Sequence, residues 1–429
     1  MKDTKYIIID ASLYDYTYIE QKLTRMAAQG WHLEHAGSLL WKFRYGEPKA
    51  VRYAVTYAPT ASVYNSQPTE AEEDLADLCA QAGWVRVTNQ AQRIIYRNDD
   101  PTATPLETDE GERLKNIRKT MRKHFFPIEA LMILVFLMQF YTQWRSVNLS
   151  PARSFSSYMM ITTLAMSLIV SLTHAIMALD GALWLRRARI VVDGGGNIPE
   201  NQFYRIFRWF IWGFLIAYLL CLLWTVSLGF LVMVLIICAA ALLVTLGGLN
   251  LCKKLNAPRW VNLVVPTGLS VLLMFMLIPT LAVSMDRSGN VMPPAETLPV
   301  TMTQLTGETG TERLVLEESE SFLCSHGRYW DTAENDVRLA YTIVDVKCPL
   351  LYDTLLNEQE KVFLMGAGHI TDPDVAAYAA LFETEYIRHA RNASGDRWLL
   401  CWDSRIVNLR ATWDLTQEQL QILKDLLKP

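Results

Sequence analysis

The residues that could do chemistry in this chain are few, and their spacing argues against most reactions. His174 and Asp180 are the ionisable residues read inside long apolar stretches, where a costly charge marks a functional candidate by default. At about 100° per helical residue they stand about 120° apart, so they do not share one face for a proton relay. Asp180 lies about 9 Å of helical rise before Arg186, which predicts an interfacial pair with Arg186 or Arg187. His174 is expected to make a helix contact. His326, His369 and His389 with nearby acids are a metal-ligand alternative, but 43 and 20 residues separate them.

The familiar catalytic strings GxxxxGK[ST], HExxH, GxSxG and CxxC are all missing. Gly194-Gly195-Gly196 after Asp193 reads as a turn, since no Lys follows to hold a phosphate, and Gly366-Ala367-Gly368-His369 reads as another. Asn392-Ala393-Ser394 fits a glycosylation sequon. Tyr378, Phe382 and Tyr386 fall on one helical face and read as core. Cys324, Cys348 and Cys401 leave two alternatives: one disulfide plus a thiol, or three buried thiols. No catalytic, cofactor-binding or metal set converges, so the expectation is a protein that is not an enzyme and carries no cofactor.

The elements that must position these residues are set by apolar patterning. With 51% hydrophobic and 20% charged residues and 7 Cys in 429, neither a disordered chain nor a disulfide scaffold fits. The net charge of −4 hides a strong division. Residues 1–109 hold 15 acids and 11 bases, residues 110–285 hold 6 and 16, and residues 286–429 hold 23 and 13. The basic middle lies between long apolar runs, which points to a membrane rather than to direct nucleic-acid binding.

Five runs approach the ~20 residues that span a bilayer: Pro127–Trp144, Ser157–Leu185, Trp209–Ser227, Leu228–Leu251 and Val261–Val283. A tight turn is expected at Val226–Gly229, where the third and fourth abut. Pro266, Gly268 and Pro279 interrupt the fifth. Fourteen Lys and Arg flank the spans on one side (Arg113 to Lys123, Arg186 to Arg208, Lys253 to Arg259), against Arg145, Arg153 and Arg287 on the other. This bias predicts a multi-pass cell-membrane protein with its N-terminus cytoplasmic and its C-terminus extracytoplasmic. Met1–Asp10 lacks the apolar core of a signal peptide, so the first span is expected to serve as the insertion signal.

Residues 1–105 read as a cytoplasmic α+β domain built by duplication. Gly30-Trp31 recurs as Gly83-Trp84, and at the same offset Phe43-Arg44 matches Tyr96-Arg97. Each Gly-Trp follows an amphipathic helix (Ile19, Leu23, Met26, Ala27; then Leu75, Leu78, Cys79). Gly at the helix C′ position takes the left-handed conformation with little steric cost. The pattern strand–helix–strand–strand, twice over, predicts an antiparallel sheet with helices on one face, a layout similar to drug-binding gyrase-inhibitor-like domains. The candidate motif residues are Gly30, Trp31, Gly83, Trp84, Arg44 and Arg97.

The run from Leu23 through Gly30-Trp31-His32-Leu33, with Phe43 to Pro48, Val51-Arg52-Tyr53 and Cys79 to Trp84, resembles the signature of the bacterial family known as domain of unknown function 2812. That family supplies no activity and no catalytic residues. The resemblance implies a regulatory membrane protein from a mostly Gram-positive group, with a PadR-type transcription regulator as cytoplasmic partner.

Residues 106–126 form a basic connector helix capped at Asp109, with Glu112 at capping-box spacing and Leu114, Ile117, Met121 and Phe125 as its apolar stripe. It either lies on anionic lipid or continues rigidly into the first span, the latter permitting pairing with a second copy as a homodimer. Residues 127–285 are then the five-helix transmembrane domain and 286–300 a linker. Residues 300–429 are an extracytoplasmic α+β or α/β domain, with a strand at Val337–Lys347, helices at Tyr352–Val362 and Asp374–Ala390, a hairpin over Arg397–Ala411 turning at Asp403-Ser404, and a last helix capped by Thr416 and Gln419.

The functional expectation is a membrane sensor or regulator without catalysis; the alternative is a transporter or transporter accessory subunit, a class that often shows interrupted helices. Reporter fusions at residue 100 and at residue 429 are expected to be active on opposite faces of the membrane. Activity of both on the same face would reverse the orientation reading.

Overall fold

The computed structural model describes residues 3–9, 11–12, 14–37, 40–59, 64–65, 70–90, 92–225, 228–270, 272, 298–308, 312–333, 337–367, 375–384, 386–392 and 395–429. It is a mixed α+β chain with N-terminal strands, several long apolar helices and a C-terminal β-sheet. The chain divides into two units, Met1–Leu137 with Leu168–Leu277, and Met138–Ser167 with Ile278–Pro429.

In the first unit the duplication is written into the backbone. β1 (Thr4–Ile8), α1 (Tyr16–Ala28), β2 (Trp31–Ala36) and β3 (Leu40–Tyr45) are followed by β4 (Arg52–Tyr57), α2 (Glu70–Gln81), β5 (Val85–Gln90) and β6 (Arg93–Asn98). The strands form two three-stranded antiparallel sheets of the same order, β1-β3-β2 and β4-β6-β5, where a single sheet was expected. Even the irregularity repeats, because β2 bulges between Leu33 and His35 and β5 between Arg86 and Thr88. Such a bulge bends its strand and increases the local twist. Gly30 and Gly83 end the two helices with φ of +88° and +78°.

The connector and the first apolar run are one helix. α3 (Glu110–Thr120) passes through a single π-helical stretch, Met121–Phe125, into α4 (Phe126–Leu149). The Asp109 carboxylate accepts from the Gly111 and Glu112 amides, while the Glu112 side chain pairs with Lys115 rather than closing the capping box. There follow α5 (Pro151–Ser156), α6 (Tyr158–Asp193), α7 (Gln202–Thr225), α8 (Leu228–Lys254) and α9 (259–270).

Three helical stretches are long and apolar enough to cross a membrane, Glu110–Leu149, Tyr158–Asp193 and Leu235–Lys254, where five spans were expected. Within α7 the apolar stretch is shorter, Trp209–Cys221. Of the fifth expected span only the part in α9 and residue 272 is described, helical through Pro266 and Gly268; Pro279 lies outside the described residues, as do residues 226–227 and the expected linker up to residue 297.

In the second unit a six-stranded antiparallel sheet has the order β10-β11-β12-β9-β8-β7. Its strands are β7 (Glu312–Glu320), β8 (Cys324–Thr332), β9 (Arg338–Val346), β10 (Tyr386–Asn392), β11 (Gly395–Trp402) and β12 (Arg405–Ala411). The alternation of β9 explains its place: Leu339, Tyr341 and Ile343 face the side covered by α10 (Met302–Thr306), α12 (Val375–Phe382) and α13 (Gln417–Leu427). Val344 and Val346 face α11 (Tyr352–Ala367) and α5. Thr416 and Gln419 close a capping box, and Leu420, Leu423 and Leu427 are buried.

Three expectations here are corrected, and one left open between two alternatives is decided. The helix expected over Asp374–Ala390 stops at Phe382, because Glu383 takes a left-handed φ of 51° and the chain then pairs as β10 with β11. Tyr386 therefore sits on a strand, apart from Tyr378 and Phe382, with its hydroxyl bonded to Glu360. Gly366 and Ala367 extend α11 instead of turning; Gly368 and His369, like Ala393 and Ser394 of the sequon, lie outside the described residues. Cys324, Cys348 and Cys401 are all free thiols, and burial pushes Cys324 and Cys401 up to about 12.

The two Gly-Trp glycines differ in what a side chain would meet. A Cβ on Gly30 would stand 2.7 Å from the Gly46 carbonyl oxygen, whereas one on Gly83 would meet only the Asn98 amide, at 3.3 Å. Gly30→Ala and Gly83→Ala are each expected to cost at least about 1 kcal/mol for the left-handed backbone. Thermal melting of the detergent-solubilised protein should show the greater loss for Gly30→Ala.

Candidate functional site: a polar junction at the end of helix α6

The motif residues of the repeat are placed as framework. Trp84 is buried with Cys79, Ile94 and Tyr96. Trp31 is half-buried edge-on to Tyr45, with the Lys5 ammonium 5.4 Å from its ring. Arg44 pairs with Glu34 at 3.2 Å and Arg97 with Asp99 at 2.6 Å, both at the surface. These six residues do not gather into one site.

The residues that do gather tie the N-terminal segment to α6. The Tyr14 hydroxyl donates to Asp180 Oδ2 at 2.7 Å, and Asn201 Nδ2 donates to the same oxygen at 2.6 Å. Asn201 also caps α7, since its Oδ1 accepts the Phe203 amide at 3.0 Å. Asp180 thus takes Tyr14 and Asn201 as partners in place of the expected Arg186 or Arg187. A half-buried carboxylate beside apolar side chains needs donors close at hand, and these two are brought to it by the fold.

Around this triad the apolar contacts are close. Tyr14 stacks on Trp184 at 4.6 Å between ring centroids and meets Phe125 edge-on at 6.0 Å. The Trp184 indole donates to the Pro199 carbonyl at 2.9 Å. Gly181, beside Asp180, lets the π-helical stretch approach: a Cβ there would stand 2.8 Å from Phe125 and 3.1 Å from Met121. One core therefore includes Ile19 and Leu23 of α1, Leu114 and Ile117 of α3, and Trp184 and Ala188 of α6.

Arg113 is the second tie. Its guanidinium donates to Glu107 Oε2 at 2.9 Å, to Glu110 Oε1 at 2.8 Å and to the Tyr16 hydroxyl at 3.3 Å, and it lies 4.8 Å from the Tyr16 ring centroid. Glu110 Oε2 accepts the Ile198 amide at 3.3 Å, which brings the loop after α6 to the same charge cluster. Burial alone would lower the Arg113 pKa, but Tyr16 and Glu107 outweigh it and raise it. Burial pushes Tyr16 up to about 12 against the pull of Arg113.

A third feature escaped the sequence reading. Glu129, in the first turn of α4, is buried with its Oε2 2.7 Å from His174 Nδ1, and His174 is stacked near Phe136 at 6.4 Å. The signal was present, an acid within the apolar run Pro127–Trp144, and the rule that applies to His174 applies equally to Glu129. Arg113 was less accessible to such reasoning, because Tyr16 lies 97 residues away.

In the second unit His389 is buried and stacked on Trp398 at 3.8 Å, its Nε2 3.1 Å from Asp396 Oδ1. Burial would raise the Asp396 pKa, but His389, Arg391 and the Leu415 amide hold it down at about 2. Among the described residues no group of three or more His, Cys, Asp or Glu could hold a metal ion.

Residues 15–128 match the model of a family described as a protein of unknown function, DUF2812. The matched segment runs from the start of α1 through the connector to the residue before Glu129, so the domain resemblance read from the Gly-Trp motifs holds over that stretch. No curated protein and no solved structure matches the chain.

Glu20 gives the junction a pH signature. It accepts the Val55 amide at 2.8 Å, and burial, opposed by that bond and by Arg113 and Arg52, pushes its pKa from 4.5 to about 7. The folded state keeps this proton between those values while the unfolded chain releases it. Its stabilising contribution is therefore complete below about pH 4.5 and lost as pH rises through about 7. Glu20→Gln should abolish that decline: melting temperatures should match wild type near pH 4 and exceed it near pH 8.

Proposed function

We propose that the chain is an integral membrane sensor or regulator without catalytic activity, with five membrane-spanning helices. Residues 1–105 face the cytoplasm and 300–429 the outside. The N-terminal domain binds or releases a cytoplasmic regulatory protein, a PadR-type regulator by the family resemblance, as the helices shift. The observation that carries this reading is the Asp180 triad. It joins the segment before α1, helix α6 and the start of α7 through two hydrogen bonds to one carboxylate oxygen. A displacement of α6 must break those bonds or move Tyr14 with it. Bistable packed contacts of this kind turn small shifts into discrete rearrangements.

A second reading, a transporter or its accessory subunit, is favoured by the Glu129–His174 pair, since a titratable pair within apolar helices is the chemistry of proton relays.

The test replaces Tyr14 by Phe and Asp180 by Asn in cells carrying a reporter controlled by the regulator that crosslinks to residues 1–105. Each change is expected to uncouple the reporter from deletion of residues 300–429, which by itself shifts expression. An unaltered reporter after that deletion overturns the sensor reading. Accumulation of a solute in vesicles that follows Glu129→Gln would favour the transporter.

A further inference from the structure

One face of the six-stranded sheet carries an arrangement that the packing of the domain does not require. In the register of the sheet Arg397 of β11 stands directly opposite Arg410 of β12, and the same row continues through Ala340 to Trp330. The neighbouring row on this face holds Asn408, Thr342 and Arg328. With Arg338, four arginines line a cavity of about 460 Å³, and among the described residues that line it none is acidic. That volume suits a small molecule.

Two costs are built into this face. Like charges directly opposite on adjacent strands destabilise a sheet. The Arg397 Nε is buried and has no hydrogen-bond partner, a loss comparable to a hydrogen bond left unmade. The nearest acid in register, Glu317 opposite Arg328, is held by Arg153 at 2.5 Å. Guanidinium forks match carboxylate and phosphate oxygens two at a time. An anion seated between Arg397 and Arg410 would offset both costs together.

We propose that the cavity over Arg397 and Arg410 is a binding site for a small, multiply charged oxyanion bearing phosphate or carboxylate groups, with Arg328 and Arg338 at its margin. The site supplies the class of ligand for the sensor reading of residues 300–429, and its biological meaning rests on that reading. The binding itself does not.

The test uses the full chain in nanodiscs of neutral lipid, with inorganic pyrophosphate and citrate as probes at constant ionic strength. Either probe is expected to raise the melting temperature saturably in the wild type, and the gain should vanish in the Arg397→Gln, Arg410→Gln double variant. Without probe, that variant should melt no lower than wild type, because it removes a like-charge pair. Absence of a saturable gain, or an equal gain in the variant, overturns the site. Nanodiscs containing anionic lipid separate the two sources of such groups: a full gain there before any probe is added, with no further rise on adding one, would overturn a soluble ligand in favour of lipid headgroups. Loss of binding in the variant with the reporter response intact would leave the site standing and remove the sensor reading instead.

Discussion

A carboxylate at the edge of an apolar helix must find hydrogen-bond donors, and the first unit is organised around how Asp180 finds them. Its partners, Tyr14 and Asn201, come from segments 166 and 21 residues away along the chain. The Tyr14 ring covers Trp184, and Gly181 admits Phe125, so the polar contact sits inside an apolar one. Low local polarity strengthens such bonds and makes their loss more costly. Arg113 repeats the principle a short distance along α3, where one guanidinium satisfies Glu107, Glu110 and Tyr16. The family match, residues 15–128, covers this second tie together with the repeats from α1 onward. The connector thus belongs to the domain physically as well as by sequence.

The π-helical stretch Met121–Phe125 lies where these constraints meet. Wide turns of this kind occur mostly as single insertions in α-helices, frequently at functional sites. Here it lets one continuous helix serve two environments. Before it, Leu114 and Ile117 join the core that also holds Ile19 and Leu23 of α1, and after it the helix becomes apolar enough to cross a bilayer. Glu129 then meets His174 within the apolar helices, where each supplies the other with a polar partner.

The second unit answers a different physical question, how a six-stranded sheet buries two faces. Leu339, Tyr341 and Ile343 go to one side and Val344 and Val346 to the other, each covered by helices. Where α11 does not cover the sheet, its surface is left to arginines. The buried His389–Asp396 pair, by contrast, is fully enclosed: Arg391 and the Leu415 amide complete the bonds to Asp396, and the neighbouring Trp398 stacks on the imidazole. It reads as a buried polar anchor for β10 and β11.

Local sequence determined much of this protein. The Gly-Trp spacing announced the duplication, because a left-handed helix end followed by a strand is a backbone requirement that only a few residues meet. Periodicity marked α1, α13 and the β11–β12 hairpin, since each amphipathic face is complete within its own segment; of the stripe read for α2 only Cys79 is buried, while Leu75 and Leu78 are exposed. Tertiary structure alone decided the rest. Residues 386–390 looked helical by pattern but became β10, since the open edge of β11 offered hydrogen bonds that helical propensity could not match. Asp180 had an arginine within reach in sequence yet bonded to Tyr14 and Asn201, and Arg397 came to face Arg410 through the register of two strands. Spacing along a chain governs contacts made within one helix or one hairpin. Contacts between elements depend on which faces the whole fold presses together.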